Sequence, residues 1–161
     1  MDIDELDVKL LSALSDSGRV RWSTLADQFG ISPPAIADRV RRLEQLGAIR
    51  GYTVLLDAQR LGFGLTAFIS VTLAHPHDRQ PFLNYVQANP QIQSCHHVTG
   101  EGDYLLKICC AGTAALEQLL SEELKSLPGV VQTRTSIALS ALKDEVTLPL
   151  SDLLKDFLEE E

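Results

Sequence analysis

Residues 30–47 read Gly30-Ile31-Ser32-Pro33-Pro34-Ala35-Ile36-Ala37-Asp38-Arg39-Val40-Arg41-Arg42-Leu43-Glu44-Gln45-Leu46-Gly47. The stretch reads as a helix with a written start and stop. Ser32 is placed as N-cap, its hydroxyl accepting from an otherwise orphaned backbone N–H. Pro33 then falls at the first helical position, where a missing N–H costs nothing, and Pro34 is still inside the first turn. Gly47 supplies the left-handed conformation just past the end. At about 100° per residue, Ile36, Val40 and Leu43 share one side, with Leu46 at its edge. Pro34, Asp38, Arg41, Arg42 and Gln45 point the other way, and Arg39 lies on a flank. One face needs a core. The other presents cations and amides that suit phosphates and base edges. An ordinary solvated helix would show the same two faces, so the flanking sequence has to decide.

Upstream, residues 3–15 read as a first helix, with Asp4 as cap and Ile3, Leu6, Leu10 and Leu14 on one face. Asp16-Ser17-Gly18 ends it. Ser23 is expected to cap a short second helix from Thr24 to Phe29, with Leu25, Ala26 and Phe29 inward. Gly30 then makes a tight turn into the helix that opens at Ser32. A short helix, a turn of about four residues containing Gly and a second helix form a helix-turn-helix. Its second helix is the one that enters the major groove.

The chain has 161 residues, is 45% apolar and carries a formal net charge of −8. That size admits one domain or two small ones. No apolar run approaches a membrane span, and the acidic N-terminus is unlike a signal peptide, so a cytoplasmic protein off the membrane is expected. Three cysteines, Cys95, Cys109 and Cys110, do not make a disulfide framework. The acidic balance is uneven. Residues 19–60 hold seven arginines against four acids, whereas the flanking segments are acidic. A local basic footprint is what nucleic-acid contact requires.

Downstream, Ile49 to Leu56 reads as a strand leaving the helical region, and Asp57 to Gly64, with two glycines, as a hinge. Leu65, Ala67, Ile69, Val71 and Leu73 alternate with Thr66, Phe68, Ser70 and Thr72, a strand of period two. His77–Asn89 reads as helix, with Phe82, Tyr85 and Val86 inward. Ile92–Val98 and Tyr104–Cys110 read as strands joined at Gly100-Glu101-Gly102. Thr113–Leu127 reads as helix, stopped by Pro128-Gly129, and Val130–Ala141 as a last strand. The order βαββαβ is the ferredoxin-like arrangement, so the fold class is α+β. Such a sheet has helices on one face only, and the other must meet water or a partner. Phe68 among polar neighbours points to a partner there. The acidic C-terminal segment, residues 144–161, holds seven acids and one Lys. Val146, Leu148 and Leu150 alternate as in a short edge strand, and Leu153, Leu154, Phe157 and Leu158 follow with helical spacing.

The runs "IDELDVKLLSALSDSGR", "STLADQFGIS", "RVRRLEQLGAIRGYTVLLD", "VTGEGDYLLK" and "LPGVVQTRTS" resemble the leucine-responsive/AsnC (Lrp/AsnC, feast/famine) transcription regulators, in order from about residue 2 to residue 143. The resemblance implies a winged helix-turn-helix DNA-binding domain over 1–58, whose connecting strand lies near residues 48–58. A hinge at 59–64 and a ferredoxin-like effector-binding and oligomerisation domain over 65–143 complete the implied plan. It implies homodimers that assemble to tetramers or octamers, and a small effector, commonly an amino acid, held between protomers at the turn before Asp103. Onto this sequence it carries Thr99, Gly100, Asp103 and Tyr104, with Thr133 and Thr135 as weaker candidates. Backbone N–H groups of such a turn suit a carboxylate and Asp103 suits an ammonium. The plainer reading, a hairpin turn whose glycines supply unusual backbone angles, holds in any case.

The DNA candidates are Arg39, Arg41, Arg42 and Arg50 for phosphates, with Ser32, Pro34, Ala35 and Asp38 near the helix start for base edges. A structural ion pair is an equal alternative for Arg39. Asp38 would repel phosphate unless it accepts from a cytosine amino group. Cys95-His96-His97 opposite Cys109-Cys110 invites a zinc reading. Neighbouring strand residues point to opposite faces, however, and no two-residue-spaced ligand pair exists, so neither metal nor cofactor is expected. No nucleophile, phosphate loop or acid/base pair marks an enzyme. Two alternatives remain at this point: a sirohaem-decarboxylase-like enzyme on the same two-domain fold, and an architectural DNA-binding protein without an effector.

Overall fold

A computed structural model describes residues 3–145 and 147–159. The chain divides into two compact units, one holding residues up to Leu55 together with those from Asp144 on, the other running from Leu56 to Lys143.

The first unit contains α1 (Glu5–Asp16), α2 (Trp22–Phe29) and α3 (Pro33–Gln45). Asp4 caps α1 in a reciprocal box: its side chain accepts from the Asp7 N–H at 2.8 Å, and the Asp7 carboxylate accepts from the Asp4 N–H at 3.1 Å. α2 starts at Trp22 with Arg21 as N-cap and no side-chain cap. Ser23 therefore lies inside the first turn, not at the cap, because the chain enters from a turn closed by the Val20 N–H on Ser17 O. Gly30 (φ 69°) and Gly47 (φ 74°) end α2 and follow α3 in the left-handed region. The three helices bury Leu10, Leu14, Leu25, Ala26, Ile36, Val40 and Leu43 together.

Val8 is 1% exposed yet stands outside that cluster. At about 100° per residue it sits roughly 120–160° around α1 from Leu10 and Leu14, so α1 is buried on two sides. Besides α2 and α3, α6 (Leu150–Glu159) lies against α1 in the same unit, the candidate cover for that second side. The expected edge strand before α6 is not formed. Val146 lies outside the described residues, Leu148 is exposed in irregular chain and Leu150 opens the helix. The side chains of Phe157 and Leu158 are likewise outside the described residues.

The strand expected over Ile49–Leu56 is also not formed. Residues 51–57 take no regular structure. A strand needs a neighbour for its N–H and C=O groups, and among the described residues none runs beside this segment. Val54, Leu55 and Leu56 are 70%, 83% and 68% exposed. The Tyr52 hydroxyl donates to Glu44 at 2.9 Å. Ala58–Gly62 is a compact turn, with the Phe63 N–H on Ala58 O and the Arg60 N–H on the Asp57 carboxylate.

The second unit is a four-stranded antiparallel sheet in the order β2-β3-β1-β4, formed by β1 (Leu65–Leu73), β2 (Ile92–His97), β3 (Tyr104–Cys110) and β4 (Val130–Ile137). This is the ferredoxin-like order. α4 (Arg79–Ala88), preceded by one 3₁₀ turn, and α5 (Thr113–Gln118) supply the helical layer. Ala67, Ile69, Val71, Tyr104, Leu106, Ile108 and Cys110 meet Phe82, Leu116, Leu119 and Leu124 in one core. The helix expected over Thr113–Leu127 is not uniform. A π turn (Leu119–Glu123) and a 3₁₀ turn (Leu124–Ser126) follow α5. Leu119 and Leu124 are both fully buried. Five residues apart, they would diverge on an α-helix, and the wider turn brings both toward the sheet. β4 ends at Ile137 instead of Ala141 because its partner β1 begins at Leu65 and the ladder runs out.

Candidate functional site

α3 carries the nucleic-acid candidates. The Ser32 hydroxyl accepts from the Ala35 N–H at 3.4 Å, which fixes where the helix begins. Ser32, Pro34, Asp38, Arg41 and Arg50 are exposed, and Ala35 is half-buried. The Arg41 guanidinium donates to the Asp38 carboxylate at 2.7 Å, one turn back on the same exposed face. The two charges offset one another in water at little cost to separate.

Arg39 takes the ion-pair alternative, and Arg42 is placed differently from the sequence expectation. Arg39 Nη1 donates to Asp4 and to Asp7, both at 2.7 Å. Arg42, expected on the outward face, is paired with Asp7 as well. Asp7 is fully buried. The physical reason is packing: seating Ile36, Val40 and Leu43 in the core sets the flank of α3 against the first turn of α1. Residues three apart on a helix are neighbours, so both guanidinium groups reach one carboxylate. Burial alone would raise the Asp4 pKa, but the Arg39 hydrogen bond, the Asp7 amide and the Arg39 charge outweigh it and hold it below 3.8. The same pairs, Asp4 first, push Arg39 upward. The sequence reading gives Asp4 as a cap and assigns Asp7 no role, so their part in this cluster is a finding of the structure. An acid pair spaced Asp-x-x-Asp at a helix start, in a chain with Arg-x-x-Arg on a later flank, is the only trace it leaves in the sequence.

The effector candidates gather at one end of the sheet. The Asp103 N–H donates to Val71 O at 2.9 Å, and Asp103 Oδ2 accepts from the Leu73 N–H at 2.7 Å. Gly102 lies flat on β1, since a Cβ there would stand 2.1 Å from Ser70 Oγ. Glu101 pairs with Arg134 of β4. Thr99 and Gly100 are exposed, with Gly100 at φ 127°. Val71 is in register with Tyr104 on one side and Thr133 on the other, and Ile69 with Thr135, so Tyr104, Thr133 and Thr135 share the helix-side face. Thr133 is half-buried and Thr135 exposed on the edge strand. Tyr104 departs from the expectation. It is 4% exposed, its ring 4.8 Å from Phe82 and 5.1 Å from His97. Alternation along β3 puts it in line with Leu106 and Ile108, so its side chain belongs to the core. The expected role of Asp103 is narrowed too, because one carboxylate oxygen already holds the end of β1.

The cysteine and histidine residues separate as strand alternation requires. Cys95 and His97 share the helix side of β2, in register with Leu106 and Tyr104, whereas His96 faces the other way opposite Leu105. Burial pushes the Cys95 and Cys109 thiols upward.

Residues 3–44 match the family model described as the AsnC-type helix-turn-helix domain, and residues 66–148 match the Lrp/AsnC ligand binding domain. The chain belongs to the Lrp/AsnC family. The leucine-responsive regulatory proteins of Klebsiella pneumoniae and Escherichia coli strain K12 are each 40% identical to this Lrp/AsnC chain over 144 residues, 88% of either sequence. A Neisseria meningitidis transcriptional regulator solved as its L-methionine complex superposes with TM-score 0.89 at 32% identity, covering 94% of this chain and 99% of that one. Escherichia coli AsnC superposes with TM-score 0.86 at 27% identity, covering 91% and 99%. The feast or famine regulatory protein of Mycobacterium tuberculosis complexed with L-methionine gives 0.83 at 31%, covering 90% and 97%. This Lrp/AsnC protein is thus a transcription regulator with a helix-turn-helix and a ligand-binding domain. Among its described residues no helix is long and apolar enough to cross a membrane.

Proposed function

We propose that this regulator binds double-stranded DNA through α3, with Ser32, Pro34, Ala35 and Asp38 meeting base edges and Arg41 and Arg50 meeting phosphates. The observation that carries the reading is the capped α3. It buries Ile36, Val40 and Leu43 while keeping Pro34, Asp38 and Arg41 exposed on the opposite side. The 1–58 segment is the DNA-binding domain, 59–64 the hinge and 65–143 the effector domain.

The effector is an amino acid, held at the Thr99–Asp103 turn where two protomers meet. Its carboxylate takes backbone N–H groups of the turn and its ammonium takes the outer oxygen of Asp103, with Thr133 and Thr135 alongside. L-Methionine, which two structural neighbours hold, is the first probe. A homodimer assembling to a tetramer or octamer accounts for two exposed features. One is Phe68, 39% exposed on the sheet face that no helix covers, and the other is the extended apolar segment Val54–Leu56. The protein works in the cytoplasm, where its DNA is, and no catalytic step is assigned to it.

The test is a thermal-shift screen of the full chain against the twenty amino acids, followed by duplex binding with and without the best of them. A ligand at about 100 times its Kd stabilises by about 2.7 kcal/mol. No shift at millimolar concentrations would remove the effector reading, and no salt-dependent retention on heparin or duplex would remove the DNA reading.

A further inference from the structure

Asp7 is one of two buried charged or polar side chains among the described residues, Asp78 being the other, and it has no exposed surface. It sits in α1, outside the helix-turn-helix proper. Its carboxylate gathers the Asp4 N–H, Arg39 Nη1 and the Arg42 guanidinium. Asp4, which is half-exposed, takes the same Arg39 nitrogen. Two acids at the start of α1, its cap Asp4 and Asp7, and two arginines of α3 thus close a cluster without net charge. A buried carboxylate that loses its cations is left uncompensated, so drawing either arginine onto a phosphate exposes that cost. Arg41, by contrast, pairs with Asp38 on the exposed face of α3.

We propose that Asp7 is a positioning residue that holds Arg39 and Arg42 off the DNA, limiting the cations α3 offers to phosphate. This rests on α3 being the DNA-reading helix. Sequence-blind affinity scales with the number of phosphates neutralised, while base contacts carry discrimination. Withholding two cations per chain therefore lowers the affinity for any duplex, random DNA included, and leaves discrimination to the base contacts. The same pairs fix the rotation of α3 against α1, and with it the register of Ser32, Pro34 and Asp38.

The experiment uses the full-length protein and a random-sequence duplex, with binding measured across a salt series. Asp7→Asn is expected to bind random duplex more tightly and to steepen the slope of log K against log salt by up to about 1.8 per chain, at about 0.9 per recruited arginine. A purely structural role predicts weaker binding with an unchanged or flatter slope, and that result in a folded, correctly sized variant overturns the proposal. Where Asp7→Asn does not fold, Arg42→Met decides. It keeps the aliphatic stem, and its slope should equal the wild type. A flattening of about 0.9 per chain would place Arg42 on phosphate and refute the assignment. Arg41→Ala serves as the control. If wild type and Arg41→Ala show the same shallow slope, the DNA reading of α3 fails; if only the Asp7 and Arg42 results go the wrong way, this inference alone fails.

Discussion

The Leu73 N–H donates to Asp103 Oδ2 at 2.7 Å, tying the β2–β3 turn to the last residue of β1. One carboxylate therefore closes the sheet, and the proposed function gives it a second duty, taking the effector's ammonium on its other oxygen. The two are separable. Asp103→Ala should lose about 1.5–3 kcal/mol in chemical denaturation, because a charge-accepting hydrogen bond is gone and the Leu73 N–H is stranded. Asp103→Asn keeps an acceptor but no charge. It should lie near the wild type in stability while losing most of the thermal shift given by L-methionine or the better amino acid. An Asn variant with the full ligand shift would show that the carboxylate does not hold the ammonium.

Arg41→Ala should flatten the salt slope of duplex binding by about 0.9 per chain, hence about 1.8 in a dimer. The Arg41 side chain is 64% exposed and that of its partner Asp38 73%. An exposed pair contributes about 0–1 kcal/mol, so the melting temperature should barely move. Differential scanning fluorimetry beside the salt series checks both halves.

Tyr85 gives the molecule an alkaline limb. Burial, and the donation of its hydroxyl to Glu123 at 2.9 Å, push its pKa up to about 12 from an ordinary 10. The native state holds this proton more tightly than the unfolded chain. The contribution is fully present below pH 10 and is lost as pH rises toward 12. Tyr85→Phe should flatten the fall of stability across that window relative to wild type, and urea midpoints at stepped pH report it.

Val8→Ala removes two methyl groups from a residue 1% exposed and should cost about 1–2 kcal/mol. Removing residues 150–161 should cost a similar amount by uncovering the same side chain. The combination should fall short of the sum, since both changes empty one contact. Strict additivity in urea denaturation would mean that α6 does not cover Val8.

The strands Leu65–Leu73 and Tyr104–Cys110 were legible to the residue, because their period-two alternation meets a helical layer on one side only. The cap at Ser32 and the turn at Gly30 were legible for a similar reason, as local backbone chemistry dictates both. What stayed hidden was long-range. Arg42 looks outward on a helical wheel, and only the seating of α3 on α1 turns it toward Asp7. Tyr104 looked like a site residue within its motif, though its parity along β3 already placed it with Leu106. Val8 falls off the single apolar face that Ile3, Leu6, Leu10 and Leu14 mark on α1, so its burial leaves no trace in that periodicity. The segment from Ile49 to Leu56 has the composition of a strand, but composition does not provide a neighbour to pair with.

The pairing of α6 with α1 sets an order on biosynthesis. The ribosome makes α1, α2 and α3 first, and these can collapse around Leu10, Leu25 and Ile36 while the rest of the chain is still being translated. Val8 waits. The other helix packed on α1 is encoded more than 140 residues later, beginning at Leu150. The unit begun first is therefore completed last, and a nascent chain released before Leu150 carries a reading head with an apolar wound in its first helix.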